Sequence, residues 1–182
     1  MNTRFKGSRT FFSSAPARYD CTYQSGGTAL TINGHTTGRI VTYGEDDMGR
    51  FCWVNLRGKR DEGICLITGY RSCHERHHNP GPHTAYMEQY ALLRAKGTTN
   101  SNPRRQFLID VLALIKRQRH NGYRPVLLMD ANGDYVNLFK RDKDLGKFIN
   151  DAGLVDPLHQ KLGSRPAYIC ERTKEARLYP YG

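Results

Sequence analysis

The chain has 182 residues, a length for one domain, with 38% apolar and 25% charged residues. Lys and Arg outnumber Asp and Glu by 28 to 17, a formal net charge of +11. No apolar run approaches the roughly 18 residues of a membrane span, and the N-terminus lacks the apolar core of roughly 7–15 residues that a secretory signal needs.

The charge points to an anionic partner, most simply nucleic acid. A basic surface with no specific partner fits the count equally well. Residues 1–24 show no periodicity and read as a disordered leader. They are rich in Arg and Ser with no acid before Asp20, which keeps a weak organelle-targeting reading open. The remainder, 25–182, reads as a single domain. Five scattered cysteines, an odd number, do not form a disulfide framework and suggest reduced thiols in an intracellular setting. Cys52 and Cys65 sit in apolar runs and are expected in the core.

In chain order, the first strand expected is "GGTALTI", at 27–32. Others follow at 38–43, 50–56 and 64–70, each after a short polar link, which implies one antiparallel or mixed sheet. The polar tract "RSCHERHHNPGP" then leads to a helix over 83–96. A second helix is expected over 103–120. Asn102 is its cap, Pro103 its first residue, and Phe107, Leu108, Val111, Leu112 and Ile115 its apolar stripe. Lys116, Arg117, Arg119 and His120 crowd its last turn, where the helix dipole favours cations. A strand follows at 125–130, then a helix over 143–151 with Leu145, Phe148 and Ile149 inward. The fold class is α/β.

The strand at 125–130 ends in a polar cluster, "DANGD". Ligands of open α/β sheets gather beyond the carboxyl ends of strands. Asp130 and Asn132, two residues apart, would share one side of an extended backbone. A carboxylate there could take a proton from water or hold a cation, and an amide could donate to a phosphate. The competing reading is an Asp-Asn-Gly turn that merely closes the strand. The strand at 64–70 also ends in polar groups, Tyr70 and Arg71, both suited to phosphate oxygens.

With these motifs in order, the chain resembles the endonuclease/exonuclease/phosphatase superfamily of deoxyribonuclease I-like phosphodiesterases. The resemblance is nearest to the endonuclease domains of non-LTR retroelements. It rests on "GGTALTI", "GRIVTY", "FCWVNL", "CLITGYRS", "PVLLMDANGD" and "FINDAGLVDPLHQ", and covers roughly residues 25–170. It implies a four-layer α/β sandwich of mixed, mostly antiparallel sheets flanked by helices, here in partial form. It implies a magnesium-dependent endonuclease acting on nucleic acid, DNA first. In that role Asp130 would orient and deprotonate the attacking water, Asn132 would bond the scissile phosphate, and Tyr70 would hold transition-state charge. Arg71, Arg104 and Arg105 would contact nucleic acid. Asp134 has no counterpart in the resemblance.

The chain departs from that pattern at both ends. The first Glu is Glu45, so the metal-binding Glu expected earlier is absent and the metal ligands stay unassigned. "ERTKEARLYPYG" places Arg177, Leu178 and Tyr179 without the Asp of the closing motif, and no terminal His follows His159. A partial copy with feeble or no turnover is therefore expected. Two other readings stand beside it. One is a zinc module on Cys73, His74, His77, His78 and His83, whose spacing matches no finger. The other is a basic nucleic-acid binder without catalysis, using Lys59, Arg60, Arg71, Arg76, Arg104, Arg105, Lys116, Arg117 and Arg119.

Overall fold

The structure is a computed structural model that describes residues 7–16, 25–59, 62–73, 84–99, 101–133 and 142–162. It is a mixed α/β fold. The strands are β1 (Arg9–Ser14), β2 (Gly27–Ile32), β3 (Ile40–Glu45), β4 (Phe51–Arg57), β5 (Gly63–Tyr70) and β6 (Tyr123–Asp130). The helices are α1 (Ala85–Ala95), α2 (Pro103–His120), α3 (Lys143–Asp151) and α4 (Pro157–Leu162). A 3-10 segment, Gly34–Arg39, precedes β3. Among the described residues no helix is long and apolar enough to cross a membrane.

The four-stranded sheet runs β3-β4-β5-β6. β3, β4 and β5 are antiparallel, and β5 pairs with β6 in parallel, Gly63 opposite Tyr123 through to Tyr70 opposite Asp130. A parallel pair needs a long crossover, and α1 and α2 supply it. Alternation divides the sheet into two faces. Phe51, Cys65 and Ile67 turn towards the helices and pack with Phe107, Val111, Ile115, Leu145 and Phe148. Val54 and Leu56 turn the other way and pack against Phe11 and Ile32 of β1 and β2. Cys52 and Cys65 are fully buried, as expected. Burial pushes the Cys65 thiol up to about 12, so it acts as an apolar filler.

Two expectations change here. The residues at 27–32 do form a strand, but β2 does not join the large sheet. It pairs with β1, Arg9 opposite Ile32 through to Ser14 opposite Gly27, and this two-stranded sheet covers one face of β4 and β5. The leader reading of residues 1–24 is thereby corrected at Arg9–Ser14. That strand was missed because the sheet buries only part of it. Burial alternates along it, but polarity does not follow: Phe11 and Ser13 are buried while Phe12 is 60% exposed, so the sequence shows no alternating signature.

Packing at the end of β1 is close. Gly49 has φ of +72°, and a Cβ there would lie 2.3 Å from the Ala15 nitrogen and 2.7 Å from the Ala15 Cα. Ser13 donates from Oγ to the Asp46 carbonyl in the same turn. Gly49→Ala should therefore cost about 1–3 kcal/mol, because main chain cannot swing aside as a side chain can. Urea unfolding would measure it; a loss under about 0.5 kcal/mol would mean that β1 does not press on this turn.

Candidate functional site

β5 and β6 are neighbours in parallel, so their carboxyl ends meet at one rim. Tyr70 and Asp130 are register partners there. Both belong to the face turned away from the helices, as do Ile64, Leu66, Val126 and Leu128. The strand ends are tied together by the Arg71 amide, which donates to the Asp130 carbonyl at 3.0 Å. Tyr70 is anchored in turn by its amide on the Arg50 carbonyl at 2.8 Å.

The chain does not stay extended after Asp130. Asn132 has φ of 43°, in the left-handed region, so the expectation that a spacing of two keeps both side chains parallel does not hold. The left-handed turn folds the Asn132 main chain back, and its amide donates to Asp130 Oδ1 at 3.1 Å. The Asn132 side chain then crosses to the neighbouring strand end. Its Nδ2 donates to the Arg71 carbonyl at 2.7 Å. The turn reading and the convergence reading are thus both represented: Asp130 makes a local turn bond, and Asn132 bridges two strands.

Tyr70 completes the group. Its phenol is held above the usual value, mainly by burial, then by the Cys73 thiol 3.9 Å away and the Asp130 charge, while the Asn132 amide opposes the rise. Tyr70 therefore keeps its proton at neutral pH and can donate it in a hydrogen bond. Tyr70, Asp130 and Asn132, picked out separately in the sequence, lie beside one another.

The arginines are a correction. Arg71 and Arg104 are 2% and 6% exposed, so they are not free to meet an external phosphate. Arg71 donates from Nη1 to Asp142 Oδ2 at 2.6 Å and to the Ala131 carbonyl at 3.3 Å, and from Nε to the Arg104 carbonyl at 3.1 Å. Arg104 donates from Nη2 to Asp142 Oδ2 at 3.0 Å and to the Asn132 carbonyl at 2.9 Å, and from Nη1 to the Ser72 carbonyl. Two guanidiniums thus share one carboxylate beneath the turn. Only Arg105 of the three is exposed, one residue along the first turn of α2.

Asp142 was not singled out from sequence as a site residue. Its place before the 143–151 helix marks a cap, and its Oδ1 does accept from the Leu145 amide at 3.1 Å. Its ionic role is invisible in sequence, because the partners lie 71 and 38 positions away. Burial would raise the Asp142 carboxyl. The Arg71 hydrogen bond, the Leu145 amide and the two guanidiniums outweigh that and hold it at about 2.

A concavity of about 650 Å³ lies elsewhere, between the Glu45–Trp53 region and α1 and α2. Its principal charges pair internally, Arg50 with Asp46 and Asp110, and Lys96 with Asp47. None of the strand-end residues lines it. Asp134 and the histidines of the zinc reading, His74, His77, His78 and His83, lie outside the described residues, as do Arg60, Arg76 and Arg177. Among the described residues no group of three or more His, Cys, Asp or Glu could hold a metal. No family model matches the chain, and no curated protein matches it significantly.

Proposed function

We propose that the chain is a phosphodiester hydrolase domain of the endonuclease type, acting on nucleic acid at the ends of β5 and β6, within a partial deoxyribonuclease I-like sandwich. The observation that carries this reading is the grouping of Tyr70, Asp130 and Asn132 around one strand-end rim.

Each group has the chemistry its role needs. Asp130 is exposed, and Oδ1 is engaged by the Asn132 amide while Oδ2 has no partner among the described residues. That free oxygen takes the proton from the attacking water as the new P–O bond forms. The P–O bond to the leaving oxygen then breaks, and that oxygen takes a proton from bulk water. Asn132 has two amide hydrogens, one given to the Arg71 carbonyl and the other acting on the Tyr70 phenol, where an entering phosphoryl oxygen would take its place as acceptor. The protonated Tyr70 phenol donates to the same developing charge.

Magnesium keeps several waters and takes one or two carboxylates plus substrate phosphate, rather than a full protein cage. At the rim the one free oxygen of Asp130 is already the base, so no described residue is assigned as a magnesium ligand. When bound, such a cation neutralises charge on the phosphoryl group.

A second reading, binding without turnover, is favoured by the exposed cations Arg105, Lys116 and Arg117 along α2. Plasmid nicking with and without magnesium separates the two. Magnesium-dependent nicking supports the hydrolase, and tight binding with no nicking supports the binder. Under both readings affinity for duplex DNA should fall as salt rises, because phosphate contacts release counterions. A titration at two ionic strengths tests this, and salt-independent affinity would contradict both.

A further inference from the structure

We propose that Asp142 is a positioning residue for this site, acting through Arg71 and Arg104 on the turn that carries Asn132. The inference rests on the hydrolase reading for its catalytic consequence, but its structural part stands without substrate.

The turn after β6 needs an outside hold. Asn132 occupies a left-handed conformation, which Asn tolerates better than other side chains but does not adopt by default. Whether the turn keeps it depends on the contacts around it. Those contacts are the carbonyls of the turn itself. Arg71 binds the Ala131 carbonyl, and Arg104 binds the next one, that of Asn132. The Asn132 side chain closes the loop by donating to the Arg71 carbonyl. Arg71 is therefore both a donor to the turn and an acceptor from it.

Both guanidiniums are buried, and a buried charge needs a counter-charge. Among the described residues, Asp142 is the one carboxylate that either of them meets as an ion pair, and a single oxygen, Oδ2, serves both. The other oxygen caps α3. One side chain thus fixes the start of α3, the first turn of α2 and the strand-end turn relative to one another. Without its charge, two buried cations face each other with no anion, and they can relieve this only by leaving the Ala131 and Asn132 carbonyls. The turn that carries Asn132 beside Tyr70 then loses two of its contacts.

The test compares Asp142→Asn and Asp142→Glu with Val111→Ala, a core control outside this network. All are studied equally far below their own melting temperatures. The first readout is the side-chain amide signal of Asn132 by NMR in the absence of nucleic acid. Asp142→Asn should shift or broaden it, Asp142→Glu should partly restore it, and Val111→Ala should leave it in place. The second readout is magnesium-dependent nicking. Asp142→Asn should lower kcat by about 10²-fold with KM within about twofold, the scale of a small misplacement of a reacting group. An Asn132 signal unchanged by Asp142→Asn overturns the positioning role. A moved signal with unchanged kcat upholds the structural coupling and overturns its catalytic consequence. If the parent chain does not nick, the hydrolase reading fails, and the amide signal alone decides the proposal.

Discussion

Asp142→Ala is expected to destabilise the fold by about 3–5 kcal/mol, the usual cost of removing one partner from a buried ion pair. The substitution strands Arg71 and Arg104, at 2% and 6% exposure, and also removes the cap of α3. Domains of this kind are stable by about 5–15 kcal/mol in total, so the loss should be plain in urea unfolding. The midpoint should fall with the slope unchanged. Acid should act on the same contact. The Asp142 carboxyl sits at about 2 when folded, below the ordinary value of about 3.9. Its contribution is therefore complete above about pH 4 and is lost as pH falls through 2. The stability gap between the parent and Asp142→Asn should be constant near neutrality and should close over that window. A gap that is already closed at pH 7 would show that Asp142 does not balance the arginines.

Asp130→Ala carries the largest effect on activity. Loss of a positioned base costs about 10²–10⁴-fold in rate, so magnesium-dependent nicking should drop by at least about 10²-fold. The fold should be little affected. Asp130 is exposed, and its side chain holds one hydrogen bond, to the Asn132 amide, so the stability change should stay near 1 kcal/mol. Nicking and unfolding measured on one preparation test both halves. A variant that nicks like the parent removes Asp130 from the mechanism. One that loses activity only because it unfolds removes the argument from it.

Much of this arrangement was readable in the sequence, for reasons that differ by element. α2 was placed at its observed bounds because Asn102, Pro103 and an apolar stripe all agree, and Asn102 does cap the amides of Arg104 and Arg105. β5 and β6 were readable as short apolar runs, and their polar ends marked the rim before any geometry was known. The partition of the strands into two sheets was not readable, since alternation gives a strand its faces but not its partner. β1 is illegible because a buried Ser13 and an exposed Phe12 break the match between polarity and its alternating burial. The arginines failed differently. Exposure is the default for Arg, and only long-range pairing with Asp142 buries Arg71 and Arg104. The left-handed Asn132 agrees with the Asp-Asn-Gly turn reading and overturns only the extended-backbone expectation for the spacing of two.

The most direct test of the central claim is a titration of the chain, labelled for NMR, with a nuclease-resistant phosphorothioate oligonucleotide. If the strand-end rim is the phosphodiester site, the largest shifts fall at residues 70–73 and 130–133, and Asp130→Ala reduces them. Shifts confined to the exposed cations of α2, with Tyr70 and Asn132 unmoved, would contradict it.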